Sequence, residues 1–330
     1  MLELKQLTVH FQTPHGMVQA VRGVSLQIEE GETLAIVGES GSGKSVAVQS
    51  VMRLLPKNSS VSGEILWRGK NLMLLTEKEM QGIRGGEIGM VFQDPMTALN
   101  PTMKIGDQIA EALIRHKKFS VNQAKGLAVE LLEKVGIPDP RRRADSYPHE
   151  YSGGMRQRAV IAIAIACSPR LLIADEPTTA LDVTIQAQIL ELIKELQQQM
   201  GMGVLLITHD LAVVHEAADK VAVMYAGRVI EFGNVKDVLQ YPAHPYTRGL
   251  LNSKPKPGDR SALVPIPGNP PDLLHPPVGC SFASRCPYAM RICAEHNPPV
   301  FKTDRQETSC WLLHPQREGR QPWNSYSYGT

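Results

Sequence analysis

The sequence predicts an α/β fold built on a parallel sheet. Three short apolar runs, TLAIVG (33–38), LLIADE (171–176) and VLLITHD (204–210), each end in a polar, motif-like stretch. Continuous apolar strands of this kind suit a parallel sheet covered on both faces. Helical patterns lie between them, most clearly TIQAQILELIKELQQQM (184–200). The first run also leads straight into a glycine-rich turn, GESGSGKS (38–45). Ligands in such sheets bind at the carboxyl ends of the strands, so the three polar endings are expected to meet at one site.

Taken in order, the opening MLELKQLTVHF alternates as a half-buried strand does. It has no basic segment leading into an apolar core, so it does not read as a signal peptide. A further short apolar strand precedes MVFQDP (90–95). From about 96 to 160 the pattern turns helical, with KIGDQIAEALIRH and AKGLAVELLEKVG, and reads as a helical insert in the α/β core. After about residue 250 the composition changes again. The stretch 253–279 holds eight prolines. Proline removes backbone donors and breaks helix interiors, so this stretch is expected to be an extended arm that buries little. The expected organisation is a nucleotide-binding unit over 1–250, with its helical subdomain at about 96–160, followed by a Pro-rich arm and cysteine-bearing tail over 251–330.

A chain of 330 residues holds one large domain or two ordinary ones. Its 42% hydrophobic and 21% charged residues are those of an ordinary globular protein. No basic stripe with interleaved aromatics appears, and 5% aromatic residues is low for a stacking platform, so nucleic acid is not an expected partner. The longest apolar run, AVIAIAIAC (159–167), is far short of the roughly 18–20 residues that span a bilayer. A cytosolic setting is therefore expected, in which the five cysteines are thiols or metal ligands rather than disulfides.

GESGSGKS fits G-x-x-x-x-G-K-[ST]. Around Gly38, Ser40, Gly41 and Gly43 the backbone N–H groups can wrap phosphates, while Lys44 reaches the β/γ oxygens and Ser45 offers its hydroxyl to Mg²⁺. In LLIADEP, Asp175 at a strand end can hold that metal, and Glu176 can polarise a water in line with the γ-phosphate. The bland alternative for Glu176 is a helix-entry carboxylate before Pro177. His209, ending the third run, is a γ-phosphate sensor or a structural histidine. Gln93 follows the MVF strand and is either a site residue or a surface glutamine. Phe11 can offer its ring to a base or belong to the core. In YSGGM (151–155), Ser152 with Gly153 and Gly154 precedes a long apolar run. That is a helix start fit to hold an anion, or simply a capped structural helix.

Phe11, GESGSGKS, Gln93, YSGGM, LLIADEP, TALD (179–182) and His209 occur in the order that resembles ATP-binding cassette (ABC) ATPases, over residues 1 to about 235. DPMTALNP (94–101), HPYTRGLL (244–251) and the cysteine tail resemble the ATP-binding subunits of bacterial oligopeptide/dipeptide (peptide/nickel-type) importers. The resemblance implies a P-loop, RecA-like cassette with a helical and an antiparallel β subdomain. It implies that Phe11 stacks on adenine, that Gln93 touches metal and attacking water, and that Glu176 is the base. Asp182 would signal across a dimer, and His209 would clasp the γ-phosphate. Two cassettes would pair head to tail, so that Ser152, Gly153 and Gly154 of one close over ATP held by the other. Where the family commonly has Leu-Ser-Gly-Gly-Gln, this chain has Tyr-Ser-Gly-Gly-Met. The implied activity is Mg-dependent ATP hydrolysis driving peptide import. Implied partners are a second cassette, two membrane permease subunits and an extracytoplasmic peptide-binding protein. The implied location is peripheral, on the cytoplasmic face of the bacterial plasma membrane. Nickel, opines and antimicrobial peptides are alternative cargoes; a non-transport ABC ATPase is a further alternative.

Cys280, Cys286, Cys293 and Cys310 follow C-x5-C-x6-C-x16-C. Four thiolates can bind zinc or an iron–sulfur cluster. Common structural zinc sites use tighter pairs, and tails of this type in the resembling family can carry a [4Fe–4S] cluster. Zn²⁺ and four unliganded thiols remain alternatives. Cys167 closes an apolar helical run and is expected in the core; RRR (141–143) reads as a solvated face.

Overall fold

The apolar runs become the central strands of an eight-stranded sheet. The computed structural model describes residues 1–179, 181–253 and 265–315. The expectations for residues 254–264 of the Pro-rich arm and for the last residues, 316–330, lie outside the described residues. Chain order gives strands β1 (Leu2–Thr13), β2 (Gly16–Ile28), β3 (Thr33–Val37), β4 (Ser59–Trp67), β5 (Lys70–Asn71) and β6 (Ile88–Val91). They continue as β7 (Leu171–Asp175), β8 (Gly203–Thr208), β9 (Lys220–Tyr225), β10 (Arg228–Asn234), β11 (Phe301–Lys302) and β12 (Gln306–Thr308).

The large sheet has the order β11-β12-β10-β9-β3-β8-β7-β6. Its core, β9-β3-β8-β7-β6, is parallel throughout. Every residue of β3, β6, β7 and β8 is buried. Alternate residues feed different cores: Leu172, Ala174, Val204 and Leu206 face one, while Leu171, Ile173, Leu205 and Ile207 face the other. With both faces covered there is no polar side for the two-residue period to expose, which is why these strands read as unbroken apolar runs.

The second sheet, β2-β1-β4-β5, is antiparallel. Leu4, Leu7 and Val24 of this sheet pack in one core with Ala47, Val48 and Val51 of the helix Lys44–Val51. That helix is thereby clamped between the two sheets. Residues 95–165 contribute the helices Pro95–Ala98, Ile105–Lys117, Val121–Lys134, Pro140–Ala144 and Gly153–Ile165. Their apolar stripes share a core with the helix Val183–Met200 and one face of β7 and β8. Cys167 is fully buried, as expected from sequence, with its Sγ donating to the Ala112 carbonyl at 3.4 Å.

The described part of the Pro-rich arm, residues 265–279, forms no helix or strand, and beyond it the tail packs on the cassette. Its strand β12 pairs with β10, and β11 pairs with β12, so the tail lengthens the main sheet. Phe282 is 2% exposed and packs edge-on at 5.3 Å from the Tyr225 ring and 5.4 Å from the Tyr246 ring. Strands of two and three residues are too short to leave a periodic signal in the sequence.

Glu231 of β10 joins these pieces. It is fully buried and accepts the backbone N–H of Ala243 (2.6 Å) and His244 (3.2 Å) and the Gln306 amide (2.9 Å). Burial pushes its carboxyl up from 4.5 to about 7, against the backbone hydrogen bonds. The folded chain therefore holds this proton more tightly than the unfolded one. The stability so gained is complete below about pH 4.5 and is lost as pH rises through about 7. Melting temperatures measured from about pH 5 to about pH 8 are expected to fall less steeply in Glu231→Gln than in the native chain. Parallel slopes would remove Glu231 as the source.

Candidate nucleotide site

The loop 38–45 runs from the end of β3 into the helix Lys44–Val51. Gly43 precedes that helix with φ 96°, and a Cβ on it would lie 2.3 Å from the Ala20 carbonyl oxygen. Only glycine fits there. No side chain caps the helix, so its first N–H groups and positive dipole end are left to an anion. Lys44 is buried, and its Nζ donates to the carbonyl oxygens of Gly38 (2.8 Å) and Glu39 (2.9 Å). Burial lowers its pKa, while Glu176, Asp175 and Glu39 raise it. The ammonium thus sits in the field of both acids predicted from sequence.

Asp175 ends β7, and Ser45 Oγ donates to its Oδ1 at 2.8 Å. Burial raises the Asp175 pKa; the Ser45 hydrogen bond and Lys44 oppose this, and Glu176 adds to it. Hydroxyl, carboxylate and the nearby Gln93 amide are hard oxygen donors, the set Mg²⁺ prefers. The donor chemistry therefore fits the expected metal.

Glu176 follows in the left-handed conformation, φ 47°. Such a backbone costs a non-glycine residue about 1–3 kcal/mol, and the surroundings hold it. Its N–H donates to the Ile207 carbonyl at 3.0 Å. Its Oε2 accepts from Gln93 Nε2 at 3.1 Å and from Thr179 Oγ1 at 3.0 Å, and His209 Nδ1 lies 3.5 Å away. Lys44, Ser45, Gln93, Asp175, Glu176 and His209 are therefore brought together. Thr179 was not singled out from sequence; a threonine three residues beyond a motif carboxylate was the available signal.

The Ser152 group lies apart from this cluster. Ser152 caps the helix Gly153–Ile165, its Oγ accepting the Met155 N–H at 3.3 Å, and it is exposed. A Cβ on Gly154 would meet Ile185 Cγ2 at 2.9 Å, at the start of the helix that Asp182 caps by accepting the Ile185 N–H. The SGG turn and Asp182 thus form one packed unit. Among the described residues, no hydrogen bond links Ser152 to the Lys44 cluster. Tyr151 is 2% exposed and donates its hydroxyl to the Arg143 carbonyl at 2.8 Å. Phe11, in β1, is half-buried against the core beside the helix Lys44–Val51.

Residues 21–179 match the ABC transporter family, and residues 230–293 match the oligopeptide/dipeptide transporter C-terminal region. The oligopeptide transport ATP-binding protein OppD of Bacillus subtilis is 57% identical over 98% of this chain and 91% of its own length. The dipeptide transport ATP-binding protein DppD of the same organism is 56% identical over 96% of each chain. The chain belongs to the ABC transporter ATPase family. Among solved structures, the ATP-binding cassette MJ0796, a dimer in a post-hydrolysis state bound to ADP and Pi, is 30% identical with a TM-score of 0.64. It aligns with 71% of this chain and 99% of its own. The fold expected from sequence, an α/β cassette with a helical part and an antiparallel β part, is the fold found. The chain is an ABC ATPase, and ATP with Mg²⁺ is what that family's site handles.

The four tail cysteines gather in one region. Burial pushes Cys310 up to about 12 and Cys286 up to about 11, and Cys280, Cys286 and Cys293 all add to the effect at Cys310. Among the described residues, however, no three His, Cys, Asp or Glu side chains form a metal-holding group. The expected iron–sulfur cluster, and its zinc alternative, are therefore unsupported by the geometry.

The Glu176 arrangement makes a direct prediction for this ABC ATPase. Glu176→Gln is expected to retain ATP binding and to lower phosphate release by roughly 10²–10⁴-fold. Turnover within a few-fold of native would exclude Glu176 as the base.

Proposed function

We propose that this chain is the ATP-hydrolysing subunit of an importer of di- or oligopeptides, acting as one half of a head-to-tail cassette pair. The observation that carries the reading is the convergence of Gln93, Thr179 and His209 on the strained Glu176, beside the Lys44 loop. The peptide cargo is supported by relatives named for oligopeptide and dipeptide transport and by the matching C-terminal region.

In this reading the N–H groups around Gly38, Ser40, Gly41 and Gly43 cradle the phosphates with Lys44. Ser45 and Asp175, with Gln93, hold Mg²⁺, which screens phosphate charge when bound. Glu176 takes the proton of the attacking water, and His209 contacts the γ-phosphate. Phe11 stacks on adenine. Ser152, Gly153 and Gly154 of a second cassette close over the γ-phosphate, and Asp182 passes closure between the two. Two membrane permeases and an extracytoplasmic peptide-binding protein complete the machine. The chain sits peripherally on the cytoplasmic face of the plasma membrane; no described helix is long and apolar enough to cross one. Residues 1–250 form the cassette, with its helical subdomain at about 96–160, and 251–330 the arm and tail. A [4Fe–4S] cluster on Cys280, Cys286, Cys293 and Cys310 is the reading we keep for that tail, with zinc second. Its support is the run of four late cysteines in the sequence, C-x5-C-x6-C-x16-C.

Two measurements test these proposals. Ser152→Glu is expected to bind ATP with native affinity as the isolated chain, yet to form no ATP-dependent cassette pair in size-exclusion chromatography. A Ser152→Glu chain that pairs normally, or that loses ATP affinity by itself, overturns the composite site. Protein purified without oxygen is expected to carry about four irons per chain; stoichiometric zinc, or no metal, overturns the cluster.

A further inference from the structure

The phosphate loop is also gripped from the tail. Arg285 ends the short helix Ala283–Arg285, between Cys280 and Cys286, and its side chain is 5% exposed. Its Nη1 and Nη2 donate to both carboxylate oxygens of Glu39, the second residue of the loop, at 2.8 and 3.2 Å. Its other N–H groups donate to the Tyr225 hydroxyl (3.2 Å) and to the carbonyls of Pro267 (2.8 Å) and Ile266 (3.3 Å). A guanidinium carries five donors in a rigid fork, and all five are used. The Glu39 backbone is held as well: its N–H donates to the Tyr246 hydroxyl at 2.9 Å, and its carbonyl accepts from Lys44. The Tyr225 and Tyr246 rings lie 4.6 Å apart, with Phe282 against both.

Two physical effects follow. The first half of the loop has its backbone set before a phosphate arrives, so less ordering cost is left for binding. A carboxylate beside a triphosphate would also repel it, and Arg285 neutralises that carboxylate. We infer that Arg285 is a positioning residue for nucleotide binding, acting through Glu39 from outside the ATP motifs, with Tyr246 fixing the Glu39 N–H. The inference rests on the Lys44 loop being the ATP site.

The test is a double-mutant cycle on the full-length chain, read as Kd for Mg-ATP by titration calorimetry. Arg285→Ala leaves the Glu39 carboxylate unpaired and is expected to weaken binding roughly tenfold. Adding Glu39→Gln to Arg285→Ala is expected to restore most of that loss, because the offending charge is gone. Simple loss of packing in the tail would not be rescued in this way. Arg285→Lys, which keeps charge but not the fork, is expected to fall between native and Arg285→Ala, and Arg285→Gln replaces Arg285→Ala in the cycle should that variant not fold. Native affinity in the single Arg285 variants, or a double variant no tighter than the single, overturns the inference. A native chain that binds no ATP overturns the nucleotide site itself.

Discussion

The site depends on one register. In the parallel sheet Val37 sits opposite Thr208, Asp175 opposite Ile207 and Val91 opposite Ala174. The strands therefore stop together, and the residues just beyond them share one edge: Gly38 after β3, His209 after β8, Glu176 after β7 and Gln93 after β6. A slip of one residue in any pair would send its side chains to the opposite core and carry a site residue off the shared edge. Such a slip is strongly opposed because both faces of these strands are covered. The apolar packing that makes the sheet is thus also what aims the chemistry.

Much of this was legible because burial on two faces leaves a mark that periodicity can read. LLIAD and TLAIV are apolar at every position, and the motif residues follow them directly. The conformation of Glu176 was not legible. Its positive φ is accompanied by an N–H bond to the Ile207 carbonyl on β8, a partner set by the fold rather than by sequence spacing. The packing of the tail was not legible for a related reason. Phe282 packs against aromatics from β9 and from the helix Pro245–Asn252, while the edge strands pair onto β10, and no local pattern announces a partner so far along the chain. Glu39 shows the same limit. Within the phosphate motif it occupies an unspecified position, and its importance appears only once Arg285, 246 residues away, is seen on it.

The RRR run shows how a surface reading fails in part. Arg143 is one of three consecutive arginines, but its carbonyl accepts the Tyr151 hydroxyl and its guanidinium lies 5.8 Å from the centre of that ring. Its Nη1 also reaches the Glu150 carbonyl. The residue that replaces the family's usual leucine is therefore an anchor, apolar in its ring and satisfied at its hydroxyl, as a buried tyrosine must be. The turn that follows keeps its small residues for packing reasons as well, since Gly154 has Ile185 against it.

These details bear on how the two proposed phosphate cradles would divide their labour. The first, at Lys44, is built deep: its cation is buried, its glycine is hemmed in by Ala20, and Arg285 and Tyr246 brace it from behind. The second, at Ser152, is built at the surface, with its hydroxyl exposed and its helix rigidly seated by Tyr151 and Ile185. In the proposed pair, a deep rigid pocket holds the nucleotide while a shallow rigid cap arrives only when a γ-phosphate offers it charge to bind. Both surfaces are pre-formed, so little ordering cost is left at closure. The closed state is then stabilised chiefly by the γ-phosphate contacts, and cleaving that phosphate removes them.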